Sequence, residues 1–549
     1  RLASEGEAGV VYFFSDLNAK VNHFFSDKDR LYFSAYMGDD HFGGKGGYKD
    51  ERYEEQFKLG LGWGNRLAAL RWNHVWSNNL FSNVTATYSR YQLRTRADGK
   101  ATYREPDSTY TETFGLDYTS RIQDWGGKID FDYYPNPNHE IKFGLQTTWH
   151  TFEPGTIGIS QRTNESKLDT SIISSLDRSL ESAVYLEDNL RIGNAFSANL
   201  GVHAVHYLIG EKSYFSVQPR ASARLALSPD VSVKGSYVQM NQFIHLLTNS
   251  GIGLPIDLWV PATERVPSQF SWQAAGGVSG ALLNDKLELS LEGYYKKMEG
   301  LITFKEGNNF FLGGLQGGSW EETVETGGQG EAYGAEVLLQ KKQGKTTGWI
   351  GYTLSWNNRQ FDNVNQGQWF PDKYDRRHDA SIVVTHTISD RISLAGTWVF
   401  GTGNAISFPT GGFATISDPL NPDQGFSGGV FDPQQGLPLW SPFRQIFTDI
   451  ANYGGAGQLF EDGRNSFRMQ PYHRLDLGIN FTKPKRWGER TWSISIYNAY
   501  SRLNPFAYYI DRRQVYDPNT GNFISGETKL RKITLFPIIP SISYQFKIR

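Results

Sequence analysis

The 549-residue sequence predicts an all-β protein, a transmembrane antiparallel β-barrel with short turns at one end and long loops at the other. Three observations carry that expectation. Strand-like stretches alternate apolar and polar residues for about ten or more positions, as in Phe215–Leu227, where Val217, Pro219, Ala221, Ala223 and Leu225 interleave with Gln218, Arg220, Ser222 and Arg224. Soluble strands are usually about 5–6 residues long, whereas a bilayer crossing takes about 9–11. Next, the same plan of strand, tight turn and strand recurs along the chain. Finally, 29 Tyr, 15 Trp and 35 Phe are more aromatic side chains than a soluble protein of this length usually carries, and they fit girdles at two membrane interfaces.

Taken in order, the hairpins fall at 16–38, 70–91, 127–149, 184–207, 215–238, 280–295, 335–356, 380–400 and 473–500. Most of their turns are rich in Asn, Asp, Pro, Ser and Gly, which supply the backbone geometries a reversal needs. Nine turns imply about eighteen strands. One more, "PSISYQFKI" at 540–548, closes the chain with Ile542, Tyr544, Phe546 and Ile548 against Ser541, Ser543, Gln545 and Lys547, for about nineteen. Longer connections are expected at 246–267, 304–332, 362–377, 403–471 and 502–529. The phase follows from cost, because a lysine or arginine facing lipid at the midplane costs about 2–4 kcal/mol. Val217, Ala221, Leu225, Ile392, Leu394, Trp398 and Phe400 are therefore expected to face lipid, with Arg220, Arg224, Lys234, Arg391, Ser393 and Thr397 facing the lumen.

Alternatives are weaker. No stretch approaches the ~18 consecutive apolar residues of a membrane helix, but barrel strands hide their lipid face in every other residue. A soluble propeller would repeat every ~40–50 residues with shorter strands. Charge is balanced, with 55 Lys+Arg against 57 Asp+Glu, which argues against a nucleic-acid partner. The absence of cysteine excludes disulfides and thiolate metal sites.

No catalytic arrangement emerges. His203 and His206 sit three apart on one strand, on opposite faces, and cannot share a metal there. The run Asp375-Arg376-Arg377-His378-Asp379 reads as a loop-to-strand junction at the membrane edge. Segments 418–425 and 517–522 have calcium-loop composition without the full ligand spacing. The glycine pairs 313–314, 317–318 and 327–328 precede no helix, so a phosphate cradle is unsupported. No metal, cofactor or enzymatic activity is expected. The candidate ligand contacts are loop aromatics, whose faces stack on sugars, haems or peptide side chains: Trp259, Phe310, Phe311, Trp320, Trp369, Phe370, Trp440 and Phe443. Glu321, Glu322, Glu325 and Glu331 read as a solvated acidic face.

Several long motifs, in order, resemble TonB-dependent receptors of the Bacteroidota. They are "GIGLPIDLWVPATERVPSQ" (251–269), "YGAEVLLQKKQGKTTGWIGYTLSW" (333–356), "WFPDKYDRRHD" (369–379), "YHRLDLGINF" (472–481), "IYNAYSRLNPFAYYI" (496–510) and "LFPIIPSISYQFKI" (535–548). The resemblance implies a Gram-negative outer-membrane receptor with twenty-two strands around an N-terminal plug. On that count residues 1–549 form the barrel domain, with the plug and first three strands expected upstream. It also implies capture of a scarce small-molecule, glycan or peptide ligand, and import driven by an inner-membrane TonB energy-coupling complex acting through the plug. Two rival functions share the barrel: a non-transporting scaffold that docks surface lipoproteins, and a passive porin.

Overall fold

The computed structural model describes residues 9–49, 51–164, 166–173, 176–248, 258–306, 319–407, 411–414, 456–459, 463–517, 522–534 and 536–548. The segment 418–425 and residues 518–521 of the second calcium-like segment lie outside them.

Nine antiparallel hairpins and a final strand build one continuous wall. They are β1 (Gly9–Phe24) and β2 (Asp29–Lys49), β3 (Tyr53–Ser77) and β4 (Leu80–Glu105), β5 (Ser108–Asn136) and β6 (His139–Arg162). Next come β7 (Asp177–Ile192) and β8 (Phe196–Ile209), β9 (Lys212–Ala226) and β10 (Val231–Gln242), β11 (Gln269–Leu282) and β12 (Leu287–Phe304). The last are β13 (Val324–Lys341) and β14 (Thr346–Gln360), β15 (His378–Ser389) and β16 (Ile392–Gly401), β17 (Tyr472–Lys485) and β18 (Gly488–Tyr497), then β19 (Ile539–Ile548). Each strand pairs with its chain neighbours, so the topology is an up-and-down meander. All nine tight turns stand where the turn residues predict them. Among the described residues β1 and β19 are each paired on one side, and the rings of Tyr12 and Phe536 meet edge-on at 6.2 Å between them. No helix among the described residues is long and apolar enough to cross a membrane; the crossing elements are strands.

Register separates the two faces. Leu394 lies opposite Ile479, Ile479 opposite Ile494, and Ile494 opposite Ile542, giving one apolar row across four strands. Trp398 lies opposite Ile382 and Leu475. On the other face Ser393, Asn480, Ser493 and Ser543 line up, and Thr397 faces Asp476. Hydroxyls bond across strands there, Ser495 to Ser541 at 2.7 Å and Thr482 to Thr491 at 3.2 Å. The first set faces lipid, and the second faces the lumen.

Aromatic ladders mark the membrane boundaries on the lipid face. Tyr237, Trp272, Tyr295, Tyr333 and Trp356 run across β10–β14 with centroids 6.1, 5.5, 6.2 and 5.3 Å apart. Nearer the tight turns, Trp492 packs edge-on against Tyr544 at 4.8 Å, and Phe131 stacks on Phe143 at 5.0 Å. Between the girdles every backbone group must find its partner in the ladder, which is what a long meander provides.

Two expectations need correction. Strands β3–β6 run for 24–29 residues, far beyond the hairpins expected at 70–91 and 127–149. Past the girdle no lipid constrains the outer face, so alternation fades while the backbone ladder continues. As a result the connections at 50–52 and 106–107 are as short as the turns; so is 210–211, between shorter strands, and the long-loop rule fails at those three corners. Similarly, residues 324–332 of the loop expected at 304–332 belong to β13, and the 502–529 connection contains a hairpin, Pro505–Asp517 with Asn522–Thr534.

Candidate functional site

Above the girdle the loops fold over the mouth. In the β10–β11 connection a small hairpin, Ile244–Leu247 with Leu258–Pro261, packs against β5, β6 and β12. Its apolar side buries Leu247, Leu258 and Val260 against Ile302, Phe304 and Trp320. The Trp320 indole donates to Asp177 Oδ2 at 3.4 Å, tying the β12–β13 loop to the foot of β7. A second cluster joins Phe243 and Ala262 to Val205 and Tyr207, with Tyr207 and Phe243 stacked at 4.7 Å.

His245 is wholly buried in this cap. Gln269 Nε2 donates to its Nδ1 at 2.7 Å, which leaves the proton on Nε2. Burial pulls its pKa down to about 4, so the ring is neutral at physiological pH. The folded state therefore binds fewer protons than the unfolded chain, whose His titrates near 6.5. This contribution is complete above about pH 6.5 and is lost as pH falls toward 4. Limited proteolysis should cut the 243–268 connection faster at pH 5 than at pH 7.5, and His245→Gln should flatten that dependence. An unchanged pH profile in the variant would remove His245 as the cause.

Beside this apolar cap lies a clasp of charges around a buried carboxylate that joins two loops to the ends of β12 and β14. Asp375 has a side chain with no exposed surface. It accepts from Asn357 N at 2.7 Å, is gripped by Arg468, and has Arg377 at 3.6 Å. Arg468 Nη1 also donates to the Asp375 carbonyl at 2.7 Å, and the Arg377 guanidinium lies 4.3 Å from the Trp356 ring centroid. Asp372 pairs with Arg359. Arg464 donates to the Phe304 carbonyl at 3.2 Å and to Thr303 Oγ1 at 2.8 Å, with its charge 5.6 Å from the Phe370 ring centroid. Burial draws the Arg464 guanidinium down to about 10, still protonated at neutral pH. Gly463, at φ +89°, lets the backbone come close enough for Arg464 N to donate to Asn365 Oδ1 at 2.8 Å; a Cβ at Gly463 would meet that oxygen at 2.5 Å. Ions taken out of water are tolerated when paired or hydrogen-bonded: Asp375 and Asp372 have arginine partners, and Arg464 is held by a carbonyl and a hydroxyl. The clasp pins the β16–β17 connection to β12 and β14.

The expected ligand aromatics divide. Trp320 and Phe370 are buried, the first in the apolar cap and the second with Phe361, Val364 and Leu301. Trp259 and Trp369 keep exposed faces at 36% and 42%. Phe310, Phe311, Trp440 and Phe443 lie outside the described residues. Of the glutamates, Glu321 and Glu322 lie 3.8 and 3.7 Å from Arg265, with Glu322 still solvated, and Glu325 accepts from Asn363 at 2.8 Å. Asp375 does stand at a loop-to-strand junction, but inside the clasp. Its partner Arg468 is 93 residues away, so no local sequence pattern announces the pair.

Below the cap the inner face is lined by compensated charges. Glu187 holds His203 at 3.1 Å and Arg220 at 3.8 Å, Lys234 pairs with Glu292, and Arg474 bonds Asp476 at 2.9 Å. Among the described residues no three His, Asp or Glu side chains are grouped to hold a metal ion.

Residues 9–499 match the family described as TonB dependent receptor-like, beta-barrel. No curated protein sequence matches the chain significantly. Three solved structures are similar. The ferric-catecholate import receptor Fiu from K12 E. coli has a TM-score of 0.52 at 12% identity, over 99% of this chain and 82% of that one. The ferripyoverdine receptor of the outer membrane of Pseudomonas aeruginosa, bound to ferripyoverdine, has 0.52 at 11%, over 91% and 67%. The copper transporter OprC has 0.54 at 11%, over 99% and 80%. At such identities the likeness is one of fold.

Proposed function

The chain belongs to the TonB-dependent receptor-like β-barrel family, and from that premise we propose an active-transport receptor of the Bacteroidota type. Proteins of this family sit in the Gram-negative outer membrane. In this reading a scarce ligand is captured at the capped mouth. An inner-membrane TonB-type complex then pulls on a plug domain inside the wall and opens a path inward.

The observation that carries the proposal is the capped mouth above a charge-lined lumen. A passive pore gains nothing from a clasp that holds loops across its entrance, whereas a receptor needs a pre-shaped collecting surface. Trp259 and Trp369 are the exposed aromatic faces of that surface. Trp320 and Phe370 shape it from behind, and Phe310, Phe311, Trp440 and Phe443 keep the same proposed role. In this reading three further strands and a plug complete the barrel, since an open edge in lipid costs several kcal/mol per lost backbone bond.

The test is uptake in whole cells with and without a proton-gradient uncoupler. Accumulation should stop when the gradient collapses. Continued flux of the same substrate would favour the porin. An assembled barrel that imports nothing yet co-purifies with a surface lipoprotein would favour the docking scaffold.

A further inference from the structure

The turn joining β17 and β18 carries Lys483, Lys485, Arg486 and Arg490 within eight residues. Register places Lys483 directly opposite Arg490, two residues turnward of the facing pair Phe481 and Trp492. Since alternate residues share a face, Lys483 and Arg490 lie on the lipid face, about 7 Å below the lower aromatic girdle. Arg490 is also flanked by Phe546 of β19. Like charges directly opposed across strands destabilise a sheet unless something neutralises them. On the inner face Arg224 opposes Lys234, and there Glu292 pairs with the lysine. Lys483 and Arg490 have no such carboxylate: among the described residues none of the four turn cations has an ion-pair partner, and Arg490 Nε is buried without a hydrogen bond. Glu489, next to Arg490 in sequence, falls on the opposite face, across from Lys547; Asp390, in the neighbouring turn beside Arg391, forms no ion pair with Lys483 among the described residues. Trp487, 71% exposed, stands at the turn with the Arg486 guanidinium 5.4 Å from its ring centroid.

We infer that this patch binds the headgroup of an anionic phospholipid in the periplasmic leaflet, its phosphate seated between Lys483 and Arg490. The position selects the occupant. The acyl chains would lie along Phe481, Trp492, Tyr544 and Ile542, where a soluble partner could not reach, and the charges sit at headgroup depth. Each basic side chain near such a surface contributes about 1 kcal/mol. The inference rests on the membrane-spanning reading of the wall and is independent of transport.

The whole protein is reconstituted with phosphatidylglycerol and phosphatidylethanolamine in equal amounts, and retained lipid is read by native mass spectrometry. The parent should retain phosphatidylglycerol preferentially. The double variant Lys483→Gln/Arg490→Gln should lose retention about tenfold or more. Lys547→Gln removes the same charge at the same height on the inner face and should leave retention unchanged. Arg486→Gln, at the exposed turn, should lose a smaller share without touching the wall, so it reads the patch even where the double variant folds poorly. Equal retention of both lipids by the parent would overturn the inference. So would loss by Lys547→Gln as large as that of the double variant, which would mean net charge alone.

Discussion

Arginine at Ile494 should sharply reduce the amount of folded barrel, while arginine at the neighbouring Ser493 should leave it nearly intact. Ile494 sits in the apolar row between Ile479 and Ile542 and is 44% exposed on the lipid face. A guanidinium there costs about 2–4 kcal/mol, and the short strands on either side offer no nearby carboxylate to offset it. Ser493 lies in the polar row with Asn480 and Ser543, where an added charge meets water. The measurement is the heat-modifiable, protease-resistant fraction in membranes. Equal assembly of both variants would mean that the faces have been exchanged.

The second large effect belongs to the charged clasp. Asp375→Ala takes the shared carboxylate away from Arg468 and Arg377, 35% and 28% exposed, and from the Asn357 N–H, which costs about 1–3 kcal/mol because the guanidiniums are partly solvated. That penalty falls on the cap and spares the wall, because the girdle-to-girdle ladders do not include Asp375. Protease should nick the loops of Asp375→Ala at positions protected in the parent, while the barrel remains heat-modifiable. Removing both charges in Asp375→Ala/Arg468→Met should restore part of the protection, since an apolar pair is less costly than an orphaned ion. If the double variant is nicked as fast as the single one, the clasp is held by contacts other than this ion pair.

How much of this could be read in advance depends on where each residue sits. Within the bilayer the environment writes a strict period of two, so Ile392, Leu394 and Trp398 declare their face from the sequence. The tight turns declare themselves through Asn, Asp, Gly and Pro. Above the bilayer that writing stops. Residues such as Gly43, Gly44, Gly46 and Gly47 continue β2 by backbone pairing alone, and nothing in their side chains says so. Loop aromatics were equally ambiguous, because stacking on a ligand and filling a loop core ask for the same residue. Trp320 fills a core, and Trp369 presents a face. Asp375 and Arg468 meet only because a long connection returns to its starting strand, and a single sequence holds no record of that return.

The unequal height of the wall has a consequence for approach. Seventeen residues of β5, from Ser108 to Asp124, precede the lipid-facing Trp125, a rise of roughly 40 Å at ordinary strand spacing and tilt. By contrast, β8 and β9 turn back at 210–211, and Ile209 pairs with Ser179, itself the partner of His150 beside Trp149. Among the described residues the rim is thus a parapet at β3–β6 and a sill at β8–β9. A molecule that approaches over β3–β6 meets strand wall, and one that approaches over β8–β9 crosses a low edge toward the roofing hairpin. A large particle or antibody that crowds the sill should therefore obstruct approach over β8–β9 without touching the exposed aromatic faces.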